Sequence, residues 1–435
     1  MLSRHLPALA SRSFAVFLAG HFVSQVGSWM QTTVQAYLAY RLTSAPIYLG
    51  AVGTASTLPA MLLALPAGVW VERVNKRHAV MALQAVMMAQ SLALAVLTLS
   101  GRVTVAWIIA LAFVNGAANA VEITARQAML GELAGPAALP NAIALQATSF
   151  NVARVLGPAL AAPLLITLGE GWVFLLNGLS YAAVIGCLAV ARPVVELPRA
   201  TGSLEIRAAF GALREGLAYT RNQPLVSVVV IMAAVVGLVA FPNVGQLPAF
   251  ARDVLARPTD TQADVATRTS ALITAQGCGA LGAALMLTVF GQRVQRKGLA
   301  ILLGQCAFTS GLLLLGLSRS EGVSMAALVM FGWGTVTTLA NSNTLVQLVA
   351  PPSLRSRVIG IYLWALQGSA PVGSLLVSSV AQHVGASKAA LLSGLVCAAI
   401  YLVLHWRVAV VRRFDVRAAL NVPEGVQPVT RKSTI

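Results

Sequence analysis

Apolar runs of about 20 residues recur from end to end of this chain, separated by short polar breaks. They fall near residues 14–38, 47–70, 78–100, 104–130, 141–167, 172–191, 224–250, 268–290, 298–317, 323–346, 357–381 and 388–408. Runs of that length suit helices crossing a hydrocarbon layer, whereas barrel strands need only about half as many residues. The pattern therefore predicts an all-α membrane protein with twelve transmembrane helices. The longest hydrophilic break, Arg192 to Asn222, follows the sixth run and divides the chain into two halves. The expected organisation is a six-helix half at 1–192, a cytoplasmic linker at 193–222, a second six-helix half at 223–411 and a cytoplasmic tail at 412–435. Within the linker, Ile206, Phe210, Leu213 and Leu217 form an apolar stripe, while Arg207, Arg214 and Arg221 recur every seven residues. This predicts an amphipathic helix on the inner membrane surface, drawn to anionic lipid headgroups.

Sliding the sequence on itself by 216 residues aligns Gly116 with Gly332, Pro136 with Pro352, Ile143 with Ile359, Gly157 with Gly373 and Gly169 with Gly385. Leu and Ala coincide often by chance in such a chain, so the Gly and Pro positions carry the weight. They point to a parallel duplication.

Composition agrees with this picture: 57% of the 435 residues are hydrophobic and 10% charged, against roughly 25% charged in a soluble domain. The formal charge of +17 would suggest nucleic acid if the basic residues clustered on a soluble face. They lie instead between the apolar runs. With the N-terminus cytoplasmic, about 21 Lys and Arg fall on the inner side and about 7 on the outer. That bias predicts a bacterial inner membrane protein with both termini cytoplasmic, and no nucleic-acid partner. Cys187, Cys278, Cys306 and Cys397 all lie in apolar runs with no CxxC, so neither a disulfide nor a metal site is expected. The first run contains Gln25, Gln31 and Gln35 and extends to about Tyr40, which marks a span and not a cleaved signal peptide.

Polar groups inside the runs are the candidate chemistry. Glu122, in Asn119-Ala-Val-Glu-Ile-Thr-Ala-Arg-Gln127, is the one acid well inside an apolar stretch, and Arg126 stands one helical turn away on the same face. A charge in hydrocarbon requires a partner or a watery cavity. Arg154, near mid-span in the fifth run, has the same need, and a Glu122, Arg126 and Arg154 cluster follows if the fourth and fifth spans pack side by side. Such a cluster is either a permanent charge network, a protonation switch or a substrate contact. In the first span His21, Gln25, Ser28, Thr32 and Gln35 share one face, which lines either a cavity or a helix contact. Candidate substrate-binding residues are Gln25, Trp29, Asn115 and Asn119 in the first half, and Asn243, Gln246, Trp333, Asn341, Tyr362 and Gln367 in the second. An acidic half facing a neutral aromatic half suits an amphipathic or polar-aromatic solute.

The turn after the second span, Gly68-Val-Trp-Val-Glu72-Arg73-Val-Asn75-Lys76-Arg77, resembles the signature loop of the major facilitator superfamily, with Glu in place of the usual Asp. The resemblance implies that Gly68, Glu72, Arg73 and Arg77 belong to a cytoplasmic latch that breaks when the transporter changes its facing. The second-half counterpart, Gly291-Gln-Arg293-Val-Gln-Arg296-Lys297, keeps only the basic character. Ala153-Arg154-Val-Leu-Gly157-Pro158-Ala-Leu-Ala161-Ala162 is similar to the superfamily's antiporter motif, with Ala at three positions where Gly is usual. It implies a gating role for Gly157 and Pro158 and favours export over import.

Glu122-Ile-Thr-Ala-Arg126-Gln-Ala-Met-Leu-Gly-Glu132-Leu and Leu139-Pro-Asn141-Ala-Ile-Ala-Leu resemble the branch containing the enterobactin exporter and macrolide efflux proteins. The resemblance implies the major facilitator fold and a siderophore or drug-like substrate. Ser28 stands where that branch often carries a first-span Asp. No GxxxxGK[ST] loop is present, so an ion gradient is the expected energy source, and no cofactor is expected. The reading is a monomeric, proton-coupled antiporter working by alternating access, with Glu122, Arg126 and Arg154 in proton coupling. An importer or facilitator on the same fold, or a non-transporting membrane sensor, are the alternatives. An enzyme is not expected, since no nucleophile, acid and base constellation can be assembled from five His and 13 acids.

Overall fold

Hydrocarbon offers no partner to backbone N–H and C=O groups, so each apolar run must satisfy its own, and each folds as a helix. The computed structural model describes residues 7–191, 194–195, 206–291, 294, 296–351 and 353–407. Arg192, Arg293, Pro352, the 412–435 tail and the side chains of Ile206, Arg207, Phe210 and Leu213 lie outside the described residues.

The first six spans are Arg12–Thr43, Pro46–Val71, Lys76–Leu99, Val105–Ala134, Leu139–Leu168 and Glu170–Val190. After the linker helix Ile206–Asn222 come Pro224–Gly245, Gln262–Phe290, Lys297–Leu317, Glu321–Val349, Arg355–Val384 and Ala386–Arg407. Eleven of the twelve are long and apolar enough by composition to cross a membrane. The first falls short because His21, Gln25, Gln31 and Gln35 interrupt it, and all four are buried among neighbouring helices. The molecule is thus an all-α membrane protein of two six-helix halves.

Prolines explain where single runs became two segments. The seventh widens into a π-helical turn at Val236–Ala240, ahead of Pro242, and gives way at Gln246 to the short helix Leu247–Asp253. A proline has no N–H to continue the ladder, so the preceding turn loosens. The eleventh breaks at Ser369, just before Pro371, into Arg355–Gly368 and Ala370–Val384.

Lipid tails are as apolar as leucine, so close packing and interhelical hydrogen bonds, not water exclusion, hold such helices together. The duplicated glycines supply that packing at equivalent places. A Cβ at Gly116 would lie 2.3 Å from the Ser56 carbonyl oxygen, binding the fourth span to the second; at Gly332 it would lie 2.0 Å from that of Gln276, binding the tenth to the eighth. A Cβ at Gly157 would lie 2.4 Å from Trp29 Cβ, so the fifth span sits close on the first, and one at Gly373 would lie 2.2 Å from the Leu238 carbonyl oxygen, so the eleventh sits close on the seventh. Gly169 and Gly385 both end their helices at φ +87°, a left-handed geometry that a side chain would strain.

The halves meet where the fifth span packs on the eighth and the second on the eleventh. The hydrogen bonds between them gather at one end of the bundle. There Tyr40 Oη donates to Asp253, Arg252 Nη1 donates to Ser44 Oγ at 2.7 Å, and Tyr37 Oη donates to the Gln262 carbonyl at 3.0 Å. Thr54 Oγ1 donates to the Pro371 carbonyl at 2.9 Å. An apolar cluster containing Val34, Leu38, Leu247, Phe250 and Leu272 fills the space behind them. At the opposite end, which carries the linker, Glu215 pairs with Arg357 and Tyr219 Oη donates to the Val349 carbonyl, so the linker helix is fastened to the second half.

Candidate functional site

Glu122 and Arg126 form the pair that their spacing predicts. Arg126 Nε donates to both carboxylate oxygens, at 3.0 and 3.2 Å, and Gln84 Nε2 on the third span donates to Oε1 at 3.1 Å. Glu122 is 2% exposed and Arg126 9% exposed, so the charges are desolvated and depend on one another. His21 of the first span is buried nearby, stacked on Phe17 at 5.4 Å, with both ring nitrogens unpaired. Gln84 was not singled out by the sequence, since a lone glutamine in an apolar run carries no pattern.

Arg154 is not part of this cluster, which corrects the expectation. The fourth span packs chiefly on the second and third, and the fifth on the first and eighth, so the fourth and fifth are not neighbours along their length. Arg154 instead lies with its guanidinium carbon 5.5 Å from the Trp29 ring centroid, and its Nε is buried without a partner. Trp29 also meets Phe150 edge to face at 5.6 Å. Pro158, buried beside Gly157, cannot supply the helical N–H that the Arg154 carbonyl expects. That carbonyl faces Gly277 of the eighth span, where a Cβ would lie 3.0 Å away.

The polar face of the first span serves mainly to bind helices. Gln25 accepts from Ser149 at 3.2 Å, Ser28 meets Tyr181 at 3.0 Å, and Gln35 donates to the Ile108 carbonyl at 3.4 Å. Gln31, off that face, is the hub: its Oε1 accepts from Asn177 at 2.6 Å and Ser91 at 2.7 Å. In the second half, four candidate binding residues are likewise engaged in packing. Asn243 and Asn341 donate to carbonyls one turn back, Gln246 donates to Ser378 at 2.7 Å, and Tyr362, 1% exposed, donates to the Leu339 carbonyl. Asn119 and Gln367 are exposed, and Trp29, Asn115 and Trp333 half-buried. An apolar crevice of about 490 Å³ beside Ala51, Leu58, Ile109 and Phe113 contains none of these residues. Among the described residues, no three His, Cys, Asp or Glu side chains gather as a metal site.

In the signature loop, Lys76 and Arg77 hold the first half together. Lys76 pairs with Glu132 at 2.8 Å, and Arg77 donates to the Leu188 and Ala189 carbonyls, both at 2.7 Å, closing the C-terminal end of the sixth span. Glu72 and Arg73 are exposed; the Glu72 carboxylate has no hydrogen bond among the described residues, and Gly68 has no neighbour within 4 Å. Among the described residues no hydrogen bond or ion pair joins Glu72 to the second half, and the bonds between the halves gather at the other end.

Comparison with known proteins agrees with the fold. The chain is 28% identical over 191 residues to the staphyloferrin A transporter of Staphylococcus aureus, covering 43% of this chain and 46% of that one. It is 27% identical over 350 residues to the multidrug efflux pump Tap of Mycolicibacterium fortuitum, covering 77% and 80%. A bacterial homologue of the human lysosomal transporter Spinster, solved in an inward-facing, unoccupied conformation, superposes with a TM-score of 0.67 at 14% identity, over 94% of this chain and 98% of that one. The model of the transmembrane secretion effector family matches residues 3–431, and with the two six-helix halves described above this makes the chain a member of that family of major facilitator transporters.

Proposed function

We propose that the protein is a proton-driven antiporter that exports an amphipathic solute, of the siderophore or drug-like kind, across a bacterial plasma membrane by alternating access. The observation that carries this reading is the buried Glu122, matched to Arg126 and Gln84 inside a span. Arg126 reaches both carboxylate oxygens and Gln84 one of them, so a change at Glu122 that breaks these contacts frees the third and fourth spans from one another, which is how the site would tie coupling to conformation. The efflux pump and the siderophore transporter among the relatives support the two solute classes.

In this reading residues 1–192 and 223–411 are the moving bodies, 193–222 is a strap on the inner leaflet, and 412–435 is a cytoplasmic tail. The basic linker end faces the cytoplasm with both termini, and the end bolted by Tyr40 and Asp253 faces outward. The protein works as a monomer among lipids, with protons and one small molecule as its partners. Gly157, Pro158 and the Gly68–Arg77 turn serve as gating elements.

Proton-driven flux in inside-out vesicles tests the coupling. Glu122→Gln is expected to abolish the response to an imposed pH gradient while solute exchange at equal pH persists. An undiminished response to the gradient refutes the assignment.

A further inference from the structure

Arg154 is a mid-span cation with its acids accounted for elsewhere. Glu122 is taken by Arg126 and Gln84, and among the described residues no carboxylate pairs with Arg154. Its contact with the Trp29 ring, 5.5 Å from guanidinium carbon to centroid, falls well short of what a guanidinium loses on leaving water. The remaining deficit must be met by water or by an anion. The site also lies where the halves touch, since the Arg154 carbonyl faces Gly277 across the junction of the fifth and eighth spans. Beside it stand two flat apolar surfaces, the half-buried Trp29 and Phe150, the latter 44% exposed.

The geometry points to Arg154, Trp29 and Phe150 as a binding subsite for an anionic group, carboxylate or sulfonate, attached to a flat apolar body. The planar guanidinium offers paired N–H donors to such an oxyanion, and the two rings receive the attached aromatic or apolar portion. This rests on the transporter reading and narrows its substrate: of solutes equal in size and apolarity, the anionic one binds here. A cationic drug would meet like charge at the same position.

Three probes that share one ring system separate the possibilities: naphthoate, the uncharged naphthamide and the cationic naphthylmethylamine. Their binding to the full-length protein in lipid nanodiscs is measured by displacement of tritiated naphthoate. The wild-type protein is expected to prefer naphthoate over naphthamide by about tenfold, with the cation weakest. Arg154→Gln is expected to weaken naphthoate about 30-fold and to leave naphthamide unchanged. Arg154→Lys, which keeps the charge and loses the fork, is expected to fall between them, and it serves if Arg154→Gln does not fold. Absence of saturable naphthoate binding, a wild-type ranking with the neutral or cationic probe at or above naphthoate, or anion preference surviving in Arg154→Gln each overturns the subsite. The coupling reading is judged separately by the pH response of Glu122→Gln, so either can fail while the other stands.

Discussion

The second and eleventh spans touch so closely at the bolted end that one methyl group should move the balance between the two facings. A Cβ at Gly50 would lie 2.3 Å from Ser378 Oγ, 2.5 Å from Ser378 Cβ and 2.6 Å from the Ser374 carbonyl oxygen. Ordinary carbon contacts are about 3.5–4.0 Å, so the helices must part by about 1 Å. Ser378 cannot turn aside freely, being fully buried and bonded to Gln246 at 2.7 Å. Overpacking of this kind costs about 1–3 kcal/mol, and the cost is felt only while this end is shut. Gly50→Ala should therefore raise the ratio of open to shut molecules at this end by about 5- to 150-fold. Pulsed dipolar spectroscopy reads that ratio directly, with spin labels on Leu42→Cys, whose parent side chain is 43% exposed, and on Thr259→Cys across the gap, in a background freed of the four native cysteines. The control is Gly186→Ala, where nothing lies within 4 Å. An unchanged distance distribution in Gly50→Ala, in a folded protein, refutes the argument that this contact limits opening.

Gln31→Leu removes the acceptor shared by Asn177 and Ser91, leaving the Nδ2 donor of the fully buried Asn177 unpaired. Interhelical hydrogen bonds in membranes contribute less than in water-soluble cores, so the expected loss is about 1–2 kcal/mol, read by denaturant unfolding in detergent, against little change for Thr32→Ala. Asp260, in the loop before the eighth span, accepts from the Arg257 backbone N–H at 2.7 Å and pairs with Arg268 at 2.8 Å. The Arg257 N–H foremost, with Arg268 added, holds its carboxyl below the ordinary value of 3.8. A lowered folded value stabilises the fold above 3.8 and loses that effect as pH falls through the folded value. Amide exchange across 254–261 should accelerate in that acid range in the wild type and show no such step in Asp260→Asn; a step of equal size in the variant assigns the titration elsewhere.

Local patterns were legible in the sequence, and helix neighbours were not. Twelve spans could be read because lipid allows an apolar run few alternatives to a helix, and Glu122 with Arg126 because a four-residue step is fixed by helix geometry. Arg154 was misplaced because order along the chain does not say which spans touch. The first span's polar face could be seen but not interpreted: its partners, Ser149, Tyr181 and the Ile108 carbonyl, are isolated residues on three other helices. Tyr362 and Trp333 were alike as aromatic candidates by composition, yet Tyr362 is sealed in the second-half core and Trp333 is half-buried.

The strength of each contact follows where it sits. Within the first half the bonds at the linker end are charged and short: Lys76 to Glu132, and Arg77 to two carbonyls of the sixth span. Such contacts are costly to break, and they make one body of the helices they join. At the middle of the junction between halves the contact has another character. Pro158 strips the Arg154 carbonyl of its helical donor, and the void is met by Gly277 across the interface. Pro242 does the same for the Leu238 carbonyl, which meets Gly373 within the second half. A carbonyl against a glycine Cα–H contributes only about 0.5–1 kcal/mol, little enough to be made and lost in every cycle. The polar contacts at the far end, Tyr40 with Asp253 and Arg252 with Ser44, join the two halves there. The alternating access proposed above requires such a division, with strong bonds inside each body, weak ones at a pivot and a releasable clasp at the rim.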